Sequence, residues 1–127
     1  MIPTDSPYYA GRIGTIGTRA GNIVLQNADF VLCIGTRNNI RQVSYNYENF
    51  ARNAETVAVV DIDPAELKKE TVRITDPVCA DAGIFLDLLL NMLENQNVPD
   101  FSDWLSWCVS REKKYSVLPA EYESGSN

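Results

Sequence analysis

Three short segments place glycine, arginine or aspartate where apolar runs end: Gly35-Thr36-Arg37, Asp61-Ile62-Asp63 and Asp81-Ala82. If those runs are parallel strands, the three ends share one rim of a sheet, where open α/β sheets take ligands. Gly35 has no Cβ, so a backbone or a ligand can come close. Arg37 and Arg41 offer guanidinium forks for a phosphate or a flavin ring edge. Asp61 ends the next strand, where dinucleotide folds often place an acid on a ribose hydroxyl. A plainer reading stands beside this one: Gly35 as a turn glycine, and Asp61 and Asp63 as caps. The usual GxGxxG fingerprint is absent in its strand-to-helix context. Gly14-Thr15-Ile16-Gly17-Thr18 precedes a helix, so its N–H groups suit an anion at the positive end of the helix dipole. Close packing of that loop against the sheet is the competing use of its glycines.

Other chemistry is excluded by what is missing. The chain of 127 residues has no histidine, so it cannot build a Ser-His-Asp or Cys-His nucleophile system by itself. Cys33, Cys79 and Cys108 are widely spaced and form no CxxC, which argues against zinc. Cys33 and Cys79 sit in apolar segments and read as buried free thiols. A formal net charge of −6 repels phosphate backbones, so no nucleic acid partner is expected. No apolar stretch has the length of a membrane span, and the N-terminus lacks the basic start of a signal peptide. A cytoplasmic protein follows as the default expectation.

Among the elements that must hold these residues, Met1 to Tyr9 is an irregular lead-in rich in Pro, Ser, Thr and Asp. Thr18 caps a helix over Arg19 to Asn27, with Ala20, Ile23, Val24 and Asn27 on one face. Phe30 to Ile34 is a continuous apolar run, the pattern of a strand covered on both faces. A polar loop spans Gly35 to Arg41, with Asn38-Asn39 as a turn. Tyr45 to Arg52 fits a helix, Thr56 to Val60 a second strand, and Pro64 to Lys69 a short helix capped by Asp63. Val78 to Ala80 is a third, weaker strand. Ala82 to Gln96 reads as a helix, with Ile84, Phe85, Leu88, Leu89, Met92 and Leu93 in register and Leu86 and Leu90 widening the stripe. Ser102 caps a last helix over Asp103 to Lys114, whose Trp104 and Trp107, with Tyr115 just beyond, suit docking contacts. Beyond Val117 the chain reads as a tail or linker. Alternating strands and helices predict an α/β fold with a parallel sheet of about three strands. Such a sheet is thin. A strand as apolar as Phe30 to Ile34 belongs in the middle, yet nothing certain is available for its other side.

In order along the chain stand Gly11-Arg-Ile-Gly-Thr-Ile-Gly17, Leu25-Gln-Asn-Ala-Asp29, Phe30-Val-Leu-Cys-Ile-Gly-Thr-Arg37, Val59-Val-Asp-Ile-Asp-Pro-Ala-Glu66 and Cys79-Ala-Asp81. This series resembles the later half of the central domain of acetolactate synthase-like thiamine diphosphate enzymes, over most of Tyr8 to Leu90. The resemblance implies a Rossmann-like domain of the FAD/NAD-binding type over residues 1–97. Residues 98–127 would be the helix and linker toward a pyrophosphate-binding domain. It implies a parent that uses thiamine diphosphate and magnesium, bound outside this chain, to decarboxylate a 2-keto acid and usually join the product to another carbonyl compound. The Gly-Asp-Gly…Asn-Asn metal motif is absent, so no catalytic or metal residue is assigned, and the isolated chain is expected to be inactive and without cofactor. The partners implied are the other domains of the same enzyme, in a homo-oligomer. In flavin-containing members the central domain holds FAD. Carried over by motif, its contacts would fall on Gly14, Thr15, Ile16 and Gly17, on Gly35, Thr36, Arg37, Asn39 and Arg41, and on Asp61, Ile62, Asp81 and Ala82. Two departures stand out. Ile16 replaces the histidine of the family's Gly-Met-His-Gly loop, and Asn38-Asn39 replace acidic residues. A stand-alone ADP-, NAD- or FAD-binding module and an interaction module with an open strand edge are the alternatives.

Overall fold

A computed structural model describes residues 2–45 and 47–116 of the chain. Within it, α1 (Arg19–Asn27), β1 (Phe30–Ile34), α2 (Ile40–Val43), β2 (Thr56–Asp61), β3 (Asp76–Cys79), α3 (Ala82–Leu93) and α4 (Ser102–Lys114) follow in order. The strands form one parallel sheet in the order β1-β2-β3. Phe30 pairs with Thr56 and Ile34 with Val60, and Asp61 pairs with Cys79. All three carboxyl ends therefore lie on one edge. The arrangement is α/β and Rossmann-like.

β2 is central, and its Val57, Val59 and Val60 are buried, as β-branched residues covered from both sides should be. On one face of the sheet, Cys33, Val57 and Val59 meet Leu25 of α1, Val43 of α2, and Phe50, Ala51, Ala54 and Val72 from the connections. This cluster is the core. α1 starts where Thr18 accepts from the Gly21 N–H, and α4 packs along it.

The opposite face is covered over β2, where Ala58 and Val60 are buried, but not beyond it. β1, the most apolar run, is an edge strand, and Phe30 at its start is 56% exposed. α3 has no buried residue despite the sequence AGIFLDLLLNML. Only Ala82, Phe85 and Leu89 are half-buried, whereas Leu88 and Met92 are 61% and 67% exposed. The stripe read from sequence is real as a pattern, but only its Phe85 and Leu89 are part-covered, where α3 meets β2, and the rest faces outward.

Several local expectations are corrected. The polar loop after Gly35 closes into a helical turn at Ile40, because Asn39 and Gln42 form a capping box. The helix expected over Tyr45 to Arg52 is a single 3-10 turn, Tyr47–Asn49, since Ala51 takes a positive φ of 48° that no α-helix accommodates. Pro64 to Lys69 holds only the 3-10 turn Glu66–Lys68. The third strand starts earlier, at Asp76, because an edge strand tolerates Pro77 without its N–H. α3 ends at Leu93, before Gln96. Ser102 is the first residue of α4 and does not cap it; its N–H donates to Asp100 Oδ1. On α1 the buried side chains are Ala20 and Leu25, while Asn27 is exposed. The tail expected after Val117 lies outside the described residues.

Candidate functional site

The parallel register brings the three strand ends together. The Gly35 N–H donates to Val60 O at 2.9 Å, and the Ala80 N–H donates to Asp61 O at 3.1 Å. A Cβ built on Gly35 would meet only the Ala82 Cβ, at 3.7 Å, so the rim is open there. Gly35 needs its freedom for another reason, a positive φ of 57°. Thr36, Arg37, Ile62 and Asp81 follow the same three strand ends, and Arg37 and Ile62 are exposed.

The aspartates of the rim are also structural. Asp61 is buried and accepts from the Asp63 N–H at 2.9 Å. Asp63 accepts from the Ala65 N–H at 2.9 Å. Asp81 caps α3 by accepting from the Gly83 and Ile84 N–H groups. The plainer reading of these residues is thus present in the fold. One carboxylate can shape a turn and still turn its other oxygen toward a hydroxyl.

Gly14, Thr15, Ile16 and Gly17 form a second group, held to α2 and not to the strand ends. Thr15 N–H and Oγ1 both donate to Arg41 O, at 2.9 and 3.3 Å. A Cβ on Gly14 would collide with Arg41 O, and φ there is +103°. The loop amides are largely consumed within the protein: Gly14 N–H by Asn22, Gly17 N–H by Gly14 O, Thr18 N–H by Arg12 O. Close packing accounts for these glycines, and Ile16 is left facing outward. The two groups communicate through the loop, because Thr36 Oγ1 donates to Gln42 Oε1 at 2.9 Å and Asn39 caps α2 through the Arg41 N–H.

Sequence reasoning missed three neighbours. Asn38 is buried at a positive φ of 44°, and its Oδ1 has no hydrogen-bond partner. Glu66 sits 3.9 Å from Arg37 Nε and pairs with Lys69. Lys69 Nζ donates to Arg37 O at 3.0 Å. The Val59 to Glu66 motif contained Glu66, but nothing in its spacing shows that the turn after β2 folds back onto the loop after β1.

Burial raises the pKa of the Cys33 thiol, against a smaller lowering by the Asn38 side chain. Cys108 is likewise raised by burial. Cys79, expected to be buried, is exposed, because it is the last residue of an edge strand. Among the described residues no group of three His, Cys, Asp or Glu side chains could hold a metal ion. No helix among them is long and apolar enough to cross a membrane.

Residues 1–89 match the family model described as the thiamine pyrophosphate enzyme, central domain. This chain belongs to that family. Among its curated relatives is a probable acetolactate synthase 2, chloroplastic, of Oryza sativa, 36% identical over 97% of this chain and 19% of the relative. The acetolactate synthase large subunit of Lactococcus lactis is 34% identical over 96% of the chain and 20% of the relative. A probable acetolactate synthase large subunit of Methanocaldococcus jannaschii is 36% identical, with the same coverage. The chain spans about a fifth of the length of the curated relatives it matches. The matched region contains the sheet, the rim and the start of α3, so the resemblance read from motifs and the fold agree.

Proposed function

We propose that this chain is the scaffold and cofactor-rim part of a thiamine diphosphate-dependent 2-keto acid carboligase or decarboxylase, acetolactate synthase-like, and is not catalytic alone. The observation that carries this is membership of the thiamine pyrophosphate enzyme central-domain family over residues 1–89. Residues 1–97 serve as the later half of the central domain, and 98–127 as the helix and connection beyond it. The partners are the other domains of the same enzyme, in a cytoplasmic homo-oligomer. The residues present do not fit thiamine diphosphate with magnesium, and no step of carboligation runs through them.

A dinucleotide such as FAD, or ADP, fits the rim better. Gly35 leaves open space, Arg37 offers a cation, and the Asn38 carbonyl is buried without a partner in the same loop. In this reading Gly35, Thr36, Arg37 and Asn39 line the phosphates, Arg41 flanks them, and Asp61, Ile62, Asp81 and Ala82 hold the nucleoside. Gly14 to Gly17 shape the adjoining wall, with Thr15 and Ile16 as its exposed residues. Bound FAD would supply a ring held against the neighbouring domains.

Calorimetry with FAD, ADP and NAD tests the rim. FAD or ADP is expected to bind, and Arg37→Ala to weaken binding roughly tenfold or more while leaving the fold intact. That is the size of a charge-assisted contact worth about 1.5–3 kcal/mol. A micromolar response to NAD alone would favour a free-standing NAD module.

A further inference from the structure

We propose that Lys69 is a positioning residue that keeps the Arg37 guanidinium available to an anion at the rim. The inference rests on the reading of the rim as a nucleotide site. It begins from a charge conflict: the strand ends carry Asp61, Asp63 and Asp81, and Glu66 stands just behind Arg37. A lone arginine in such surroundings is drawn onto the nearest carboxylate and lost to a phosphate.

The geometry resolves the conflict through Lys69. Glu66 is enclosed, its side chain only 12% exposed, and its Oε2 is buried beside the Lys69 ammonium. Arg37 approaches the same carboxylate only at 3.9 Å, with its side chain 72% exposed. Lys69 therefore neutralises Glu66, and Arg37 remains loosely held. The same ammonium donates to the Arg37 carbonyl, so it also fixes the backbone from which the guanidinium projects. The second contact joins the turn after β2 to the loop after β1, the two strand ends between which an anion would sit. A carboxylate already paired competes less for a second cation than a bare one, and a fixed backbone reduces the entropy lost when Arg37 closes on its ligand.

The test needs no bound nucleotide. Labelling of Arg37 by phenylglyoxal, followed by peptide mass spectrometry, reports how free the guanidinium is. Lys69→Met is expected to slow labelling at Arg37 about three- to fivefold, the size of an exposed ion pair, as Arg37 collapses onto Glu66. Lys69→Met with Glu66→Gln restores the rate, and Lys69→Arg keeps it. Unchanged Arg37 labelling in Lys69→Met overturns the proposal. So does a slowed rate that Glu66→Gln fails to restore, which would mark a general loss of local structure. A second arm separates this from the nucleotide reading: ADP should protect Arg37 of the unaltered chain. Absence of protection with the variant pattern intact sinks the nucleotide reading and leaves the positioning role standing.

Discussion

Single residues at the rim have a structural use that the protein itself satisfies, beside the binding role proposed for them. Asp61, Asp63 and Asp81 each accept a nearby backbone N–H, so their substitution tests turn geometry as well as binding. Gly14 is unambiguous: any side chain there meets Arg41 O and must also hold a positive φ. Gly14→Ala should destabilise the chain by about 1–3 kcal/mol, the cost of overpacking a filled site, read as a lower urea midpoint. The thiols differ as sharply. Cys79 is exposed, whereas Cys33 is buried with its pKa raised. Iodoacetamide should modify Cys79 first at neutral pH, because the thiolate is the reacting form and needs access. Equal rates at Cys33 and Cys79 would show that the core opens freely. Sequence placed Cys79 in an apolar segment and so read it as buried; the fold puts that segment on an edge.

At the scale of elements, the strands and the longer helices were legible because their signals are local and redundant. Phe30 to Ile34 and Thr56 to Val60 are β-branched or apolar runs ended by Gly35 and Asp61, and α1 carries its own cap in Thr18. Thr18 accepts from both Arg12 and Gly21, so Thr18→Ala should cost about 1 kcal/mol and loosen the glycine loop as well as the helix. A urea titration measures the first effect and amide exchange at Gly21 the second. The 3-10 turns were not legible. Whether Tyr47 to Arg52 continues as a helix depends on burying Phe50, Ala51 and Ala54 against β2, a tertiary demand that local periodicity does not contain. The Lys69–Arg37 link is hidden for the same reason, since its partners lie 32 positions apart. The start of α4 has a local anchor instead: Asp100 accepts from the Ser102 N–H and hydroxyl, which hold its carboxyl pKa below the usual value. That contribution is present above the unfolded pKa and is lost as pH falls through the lower folded one, so the start of α4 should loosen in acid, an effect that amide exchange at Ser102 would report.

For the whole molecule, the imbalance between the two sheet faces is the main physical fact. One face is a packed core; the other leaves most of the α3 stripe and the start of β1 with exposed apolar surface. An uncovered surface of this kind binds hydrophobic dyes and promotes association. The isolated chain should therefore enhance ANS fluorescence, and Leu88→Glu with Met92→Lys should reduce that signal with little loss of stability, since neither side chain is buried. A weak ANS response from the unaltered chain would mean that the face is covered in solution. The chain spans about a fifth of the length of the relatives it matches, and the proposed function assigns this side to other domains of the same enzyme. The proposed function makes this chain a scaffold that displays a nucleotide rim and leaves carboligation to residues elsewhere. The decisive measurement is turnover of pyruvate by the purified chain with thiamine diphosphate and magnesium, with a complete acetolactate synthase as positive control. No acetolactate above a host-free blank is the expected result; acetolactate formed by this chain alone would contradict the account.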